Sequence, residues 1–252
     1  CSAQLPIFSA GFSAGRRNKH CMKYPYIIFD ADNTILDFTR SEAEALEQTL
    51  RNSAGIEFDP DLHIPLYQRT NEQIWKEFEN GRIDSENLKT ERFRRFFSAI
   101  GCTIAPEKIS GSYLHYLSQS SVFISGAESL LTKLAPLCTL TLVTNGLTRV
   151  QNPRFQTSGM DRFFSSILIS EEIGIAKPDP EIFKIAFSKM GADNKNEVLM
   201  VGDNLNSDIR GGINFGIDTC WFNPDKKPTE EGIVPTYEIS SLEELESILG
   251  LL

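Results

Sequence analysis

The sequence predicts an α/β fold, a doubly wound parallel sheet carrying a four-helix insertion after its first strand. Two observations predict it. Short, continuous apolar runs recur at Tyr26 to Phe29, Thr139 to Val143, Ile167 to Ile169, Val198 to Val201 and Thr219 to Phe222. Runs of this kind suit strands buried on both faces. Amphipathic helical stretches lie between most of them, and that alternation makes a parallel sheet with helices on both sides.

In chain order, the first 21 residues, CSAQLPIFSAGFSAGRRNKHC, are rich in small side chains, lack periodicity and are followed by Met22. They read as an extension, residues 1–21, outside the fold. Their basic cluster, Arg16 to Lys19, follows a weakly apolar stretch instead of preceding it, the wrong order for a secretory signal. The catalytic core is expected in residues 22–37 and 125–252. Between them, residues 38–124 show helical periodicity without strands, at Glu42 to Asn52, Leu62 to Glu79, Glu86 to Ile100 and Pro106 to Gln119. Gly55, Asn80-Gly81, Gly101 and Ser125-Gly126 separate these segments and the core. An insertion that leaves after the first strand and returns before the second should cover the carboxyl end of the sheet. Ligands of such sheets bind there.

Composition narrows the function. The chain of 252 residues is 40% apolar and 23% charged, as in ordinary globular proteins. A formal charge of -9 argues against a nucleic acid polymer as partner, because that affinity comes from lysine and arginine displacing counterions. The five cysteines are scattered and never form a C-x-x-C pair, so neither a disulfide framework nor a zinc site is indicated and a cytoplasmic setting fits. No apolar run is long enough for a membrane span, since Lys133 and Pro136 break the region from Leu130 to Val143. Oligomeric state leaves no mark in the sequence.

Four polar constellations follow the apolar runs or lie in a loop beyond one. In Asp30-Ala31-Asp32-Asn33-Thr34, alternation along an extended backbone lets Asp30 and Asp32 face one pocket. Paired carboxylates repel, and a divalent cation compensates them; magnesium prefers such oxygen ligands and shares its shell with phosphate and water. The same residues would also make a plain Asp- and Asn-rich turn. Thr144-Asn145-Gly146 offers a hydroxyl, an amide and backbone N–H groups to phosphoryl oxygens, or serves only as a turn. In Lys177-Pro178-Asp179-Pro180, Asp179 and Pro180 announce a helix start, and Lys177 is either a phosphate-neutralising cation or a solvated surface lysine. In Gly202-Asp203-Asn204-Leu205-Asn206-Ser207-Asp208, Gly202 permits a sharp turn and Asp203 projects from the strand end. Asp208 falls near a helix start, which alone would explain it. An EF-hand is rejected, since neither acidic loop has glycine at its sixth position or glutamate at its twelfth.

The ordered set D-x-D-x-T, strand-ending threonine, K-P and G-D-x-x-x-x-D, with a helical insert after the first element, resembles the haloacid dehalogenase (HAD) superfamily. The likeness is to its phosphatases with a small helical cap on a Rossmann-like core, and it covers nearly everything after Met22. It implies that Asp30 is a nucleophile forming an aspartyl phosphate and that Asp32 protonates the leaving oxygen and later activates water. It further implies that Thr144 and Asn145 hold the phosphoryl group, that Lys177 neutralises it, and that Asp30, Asp203 and the backbone carbonyl of Asp32 bind Mg²⁺ with Asp208 in support. Finer features, Thr144-Asn145-Gly146, Val150-Gln151, Arg154, Ser170 to Gly174 and Asp218 to Pro224, resemble the house-cleaning pyrimidine 5'-nucleotidases. Asn33 departs from the Asp or Gly of many relatives without putting a role in doubt.

The substrate implied is a small phosphate ester, a pyrimidine nucleoside monophosphate; phosphoglycolate, a sugar phosphate or a mutase reaction are the alternatives. A phosphotransfer receiver fits less well, because no isolated aspartate ends the Ile167 to Ile169 run. Dehalogenases of the superfamily lack the second aspartate, so Asp32 counts against them. The insert aromatics Trp75, Phe78, Phe93, Phe96, Phe97, Tyr113 and Tyr116 stand at helical spacing and read as bundle core, and His63 and His115 receive no role.

Overall fold

The computed structural model describes residues 22–251; the extension read at 1–21 lies outside them. Six strands form one sheet: β1 (Tyr26–Phe29), β2 (Thr139–Thr144), β3 (Ser166–Ile169), β4 (Val198–Gly202), β5 (Asp218–Phe222) and β6 (Tyr237–Ile239). Their order is β3-β2-β1-β4-β5-β6, and each neighbouring pair is parallel. The chain steps from β1 outward through β2 to β3, then returns to β4 on the other side of β1. That reversal makes the carboxyl ends of β1, β2 and β4 the crevice where ligands of such sheets bind. Register aligns them, since Phe29 sits opposite both Leu142 and Val201.

Ten α-helices accompany the sheet among the described residues. Four precede β2 as an insert: α1 (Phe38–Gln48), α2 (Pro60–Glu79), α3 (Ser85–Ala99) and α4 (Pro106–Gln119). The α1 helix begins four residues before the expected Glu42 because the Asp37 side chain accepts a hydrogen bond from the Arg40 N–H. It widens into a looser turn over Thr49–Ala54 and stops at Gly55, whose φ of 64° ends a right-handed helix at no steric cost. Asp59 and Asp84 cap α2 and α3 in the same way, and Pro60 pre-sets the first turn of α2.

Six more helices follow: α5 (Ala127–Leu134), α6 (Thr148–Ser158), α7 (Ser170–Ile173), α8 (Pro180–Lys189), α9 (Arg210–Phe215) and α10 (Glu244–Leu249). Leu130, Leu131 and Leu134 of α5 and Leu245 and Leu249 of α10 pack on one sheet face with Phe29 and Leu142. Ile182, Phe183 and Ala186 of α8 pack on the other with Ile28 and Val143. The insert has a separate apolar cluster in which Tyr67, Phe93, Phe96, Phe97 and Tyr113 are buried, each ring stabilising by roughly 1.5–3 kcal/mol. The same cluster takes in Leu147 and Val150, so the insert rests on the start of α6. Its two connections to the sheet pair with each other: Asp37 N donates to Val122 O, and Ile124 N donates to Ile35 O, at 2.9 Å each.

Candidate active site

Asp30 follows directly on β1, and its N–H donates to Val201 O of β4 at 2.9 Å, which continues the sheet one residue further. The residue is 7% exposed. Lys177, from the loop before α8, reaches under it: Nζ lies 2.6 Å from Asp30 Oδ1, 2.7 Å from Asp208 Oδ1 and 2.7 Å from Val143 O. Lys177 is therefore no surface lysine; it is 1% exposed and its ammonium is held by these three oxygens. Burial works against its charge, but Asp208 and Asp30 outweigh burial and hold the ammonium above its ordinary range. Burial pushes Asp30 up to about 7, and Lys177 opposes that rise while Asp208 and Asp32 add to it.

Asn145 fixes this lysine. Its Oδ1 accepts from Lys177 N and its Nδ2 donates to Lys177 O, both at 2.8 Å, so the side-chain amide anchors the Lys177 backbone. The same residue lines the site cavity, where the resemblance implies phosphoryl contact. Asp179 has the structural task expected of it, accepting from Glu181 N at 2.9 Å at the start of α8.

Asp208 is fully buried in the turn before α9, where Oδ2 also accepts from Asn204 N at 3.0 Å. Gly202 makes room for it. Gly202 does not have the positive φ that a sharp turn would need, and a Cβ there would collide with the Asp208 carboxylate. Asp203 is half-buried, and its carbonyl accepts from Trp221 Nε1 at 2.8 Å, a tryptophan on β5 within the Asp218 to Pro224 stretch. The carboxylates of Asp30, Asp203 and Asp208 can each direct an oxygen to one point, those atoms lying within 4.8 Å of one another. Burial, then Asp30 and Asp208, raise the Asp203 carboxyl well above its usual range. Three acids facing one ammonium leave negative charge uncompensated, and a divalent cation with a preference for oxygen ligands suits the donor set.

Asp32 stands apart from that cluster. Its Oδ1 accepts from Arg154 Nη1 at 2.6 Å and its Oδ2 from Gln151 Nε2 at 2.7 Å. Gln151 Nε2 also donates to Thr144 Oγ1 at 3.0 Å, which joins the ends of β1 and β2. Gln151 and Arg154 are three residues apart on α6, so both project toward the site. Gly146 is small for the same reason as Gly202: a Cβ would overlap the Gln151 side chain. Asn33 adopts φ 59°, a region asparagine tolerates, and its Oδ1 accepts from Thr39 N and Oγ1 in the first turn of α1. That explains why Asn serves at this position.

All seven sequence-predicted residues, Asp30, Asp32, Thr144, Asn145, Lys177, Asp203 and Asp208, line one cavity of about 530 Å³. Its opposite wall is the insert, with Glu42, Asn71, Trp75 and Arg92 among the lining residues. Among the expected aromatics, Phe93, Phe96, Phe97 and Tyr113 are bundle core, whereas Trp75 faces the cavity. His63 accepts from Asp59 N and stacks on Phe58, a packing role. No helix of the described residues is long and apolar enough to cross a membrane.

A reversed parallel sheet with an acidic cluster at its switch point, roofed by an inserted helical layer, defines an α/β enzyme with its site between sheet and insert. The chain belongs to the haloacid dehalogenase-like hydrolases, whose family model matches residues 24–216. It is similar to the HAD-hydrolase YfnB of Bacillus subtilis, 36% identical over 91% of this chain and 97% of that protein. It is also similar to the pyrimidine 5'-nucleotidase YjjG of Escherichia coli, 35% identical over 90% of this chain and 99% of that one. The pyrimidine 5'-nucleotidase PynA of Streptococcus pneumoniae is 35% identical over 89% and 94%. The magnesium-bound crystal structure of YfnB superposes with a TM-score of 0.85, covering 90% of this chain and 99% of that one.

Proposed function

We propose that the protein is a Mg²⁺-dependent phosphate monoester hydrolase acting through an aspartyl phosphate on Asp30, and that its substrates are pyrimidine nucleoside 5'-monophosphates. The observation that carries this reading is the buried constellation at the strand ends, one lysine between Asp30 and Asp208 with Asp203 beside them. The likeness to YjjG and PynA supports the nucleotide. In the first step an Asp30 oxygen attacks phosphorus, the ester P–O bond breaks, and the leaving alkoxide takes a proton from Asp32. In the second, water attacks the phosphoaspartate, gives its proton to the Asp32 carboxylate, and the P–O bond to Asp30 breaks to release inorganic phosphate.

Lys177 holds Asp30 and offsets phosphoryl charge, Asn145 holds Lys177, and the Thr144 hydroxyl contributes to the phosphoryl cradle. Asp30, Asp203 and the Asp32 carbonyl would hold Mg²⁺, which when bound neutralises charge on the transferring group, with Asp208 in support. The helical insert acts as a cap over the carboxyl end of the core, and the cavity wall it supplies is where leaving groups are told apart.

A panel of phosphate esters assayed with Mg²⁺ tests the reading. UMP or dTMP is expected to have a higher kcat/KM than purine nucleotides, phosphoglycolate or hexose phosphates. A tenfold preference for phosphoglycolate or a sugar phosphate, about 1.4 kcal/mol of transition-state discrimination, would overturn the nucleotidase part and leave the phosphatase part standing.

A further inference from the structure

Arg154 is fully buried, and one of its nitrogens, Nη2, meets no hydrogen-bond partner among the described residues. A buried cation seldom stabilises more than a well-packed apolar side chain would, and an unpaired buried donor adds a cost. Its contacts therefore bear on what keeps it there. Nη1 donates to Asp32 Oδ1 at 2.6 Å and to Gln151 Oε1 at 2.8 Å, while Nε donates to Ser120 O at 2.9 Å. The guanidinium also lies over the Phe38 ring, 5.6 Å from its centre. Phe38 opens α1 and Ser120 closes α4. One planar group thus touches the Asp32 carboxylate and both ends of the helical insert.

We propose that Arg154 is a positioning residue for proton transfer: it fixes the plane of the Asp32 carboxylate and ties that orientation to the seating of the insert on α6. The inference rests on the reading of Asp32 as the proton-transfer group. Proton transfer needs heavy atoms within roughly 2.6–3.2 Å, so an Asp32 side chain free to rotate is a poorer donor as the carboxyl and a poorer acceptor as the carboxylate. Arg154 on one oxygen and Gln151 on the other hold both. The guanidinium fork reaches Asp32 and Ser120 together, which a lysine ammonium at the same place cannot do.

The test compares an alkyl ester, dTMP or else ribose 5-phosphate, with p-nitrophenyl phosphate, whose leaving group departs without a proton. Arg154→Met is expected to lower kcat/KM on the alkyl ester about thirtyfold and on p-nitrophenyl phosphate less than about threefold. In an Asp32→Asn background, Arg154→Met should add less than about threefold on the alkyl ester, because its effect runs through the lost carboxyl group. Arg154→Lys should show the same split at smaller size, and it decides the matter if the Met variant does not fold. Equal losses on both esters, or a full additional loss in the Asp32→Asn background, would make Arg154 a merely structural residue and overturn the proposal. If Asp32→Asn itself shows no split, the proton-transfer reading falls and this inference with it. A split in Asp32→Asn with none in Arg154→Met or Arg154→Lys overturns the positioning role alone.

Discussion

Lys177 Nζ bridges Asp30 and Asp208, 2.6 Å from one carboxylate and 2.7 Å from the other, and so links the end of β1 to the turn that follows β4. The bridge explains how two acids are kept in one buried place. Lys177→Met removes the only cation in direct contact with them among the described residues. Activity is expected to fall at least about a hundredfold, the scale of losing a preorganised charge at a phosphoryl site. Thermal unfolding should show a lower Tm in chelator that Mg²⁺ partly restores. Unchanged turnover in Lys177→Met would remove the lysine from the mechanism.

The two remaining acids are predicted to differ. Asp208 is tied to Lys177 and to Asn204 N, whereas the Asp203 side chain is pressed by neighbouring acids. Asp203→Asn should raise the Mg²⁺ concentration needed for half-maximal activity by about tenfold or more with little change in Tm. Asp208→Asn should lower Tm by several degrees, because a buried ammonium loses a partner. Titration of Mg²⁺ against activity, with melting curves for both variants, checks the order; the reverse order would exchange their roles.

Chelation supplies a simpler check. Exhaustive EDTA treatment should abolish hydrolysis, added Mg²⁺ should restore it, and Mg²⁺ should raise the Tm as any ligand of the folded state does. Full activity in EDTA would contradict the metal assignment.

Glu42 offers a test of the insert that is independent of catalysis. It is buried, accepts from Asn71 Nδ2 at 2.6 Å, and burial pushes its carboxyl up to about 7, an effect that Asn71 and Arg92 only partly oppose. Its folded pKa exceeds the ordinary 4.5, so its contribution to stability is fully present below pH 4.5 and is lost as pH rises through about 7. Glu42→Gln keeps an acceptor for Asn71 and carries no charge. The variant should therefore gain on the wild type by on the order of 1–3 kcal/mol between acid and mildly alkaline solution. Melting curves at several pH values measure it; a gap that narrows with rising pH would contradict the assignment.

Much of this was legible in the sequence, and the misses have physical causes. Five strands announced themselves because burial on both faces demands unbroken apolar runs, and Asp30, Thr144 and Asp203 could be placed because each follows or ends such a run. The sixth, Tyr237–Ile239, has no such run: it is three residues long, lies at the sheet edge and exposes Glu238. The start of α1 lies four residues before its apolar period, because Phe38-Thr39-Arg40 has none and only the Asp37 cap marks it. The sequence shows the Asn145 amide beside the site but not its two hydrogen bonds to the Lys177 backbone, which only the folded loop brings within reach. Gln151 and Arg154 entered through resemblance without a task. Their spacing on a helix opening just after Thr144-Asn145-Gly146 was the available signal, and only the turn of α6 shows that they converge on Asp32.

The central claim is that Asp30 is transiently phosphorylated, and trapping the acyl phosphate tests it most directly. Enzyme mixed with Mg²⁺ and a turned-over phosphate ester, then quenched within a turnover and reduced with borohydride, should carry homoserine at position 30, detected by mass spectrometry of the peptide spanning Asp30 and Asp32. Asp30→Asn should fold, show no such conversion and lose activity almost completely, because an amide is a far poorer nucleophile and lacks the charge. Conversion at Asp32 or at another acid, or an unmodified Asp30 in enzyme that is turning over substrate and accumulating a phosphoenzyme, would contradict the account.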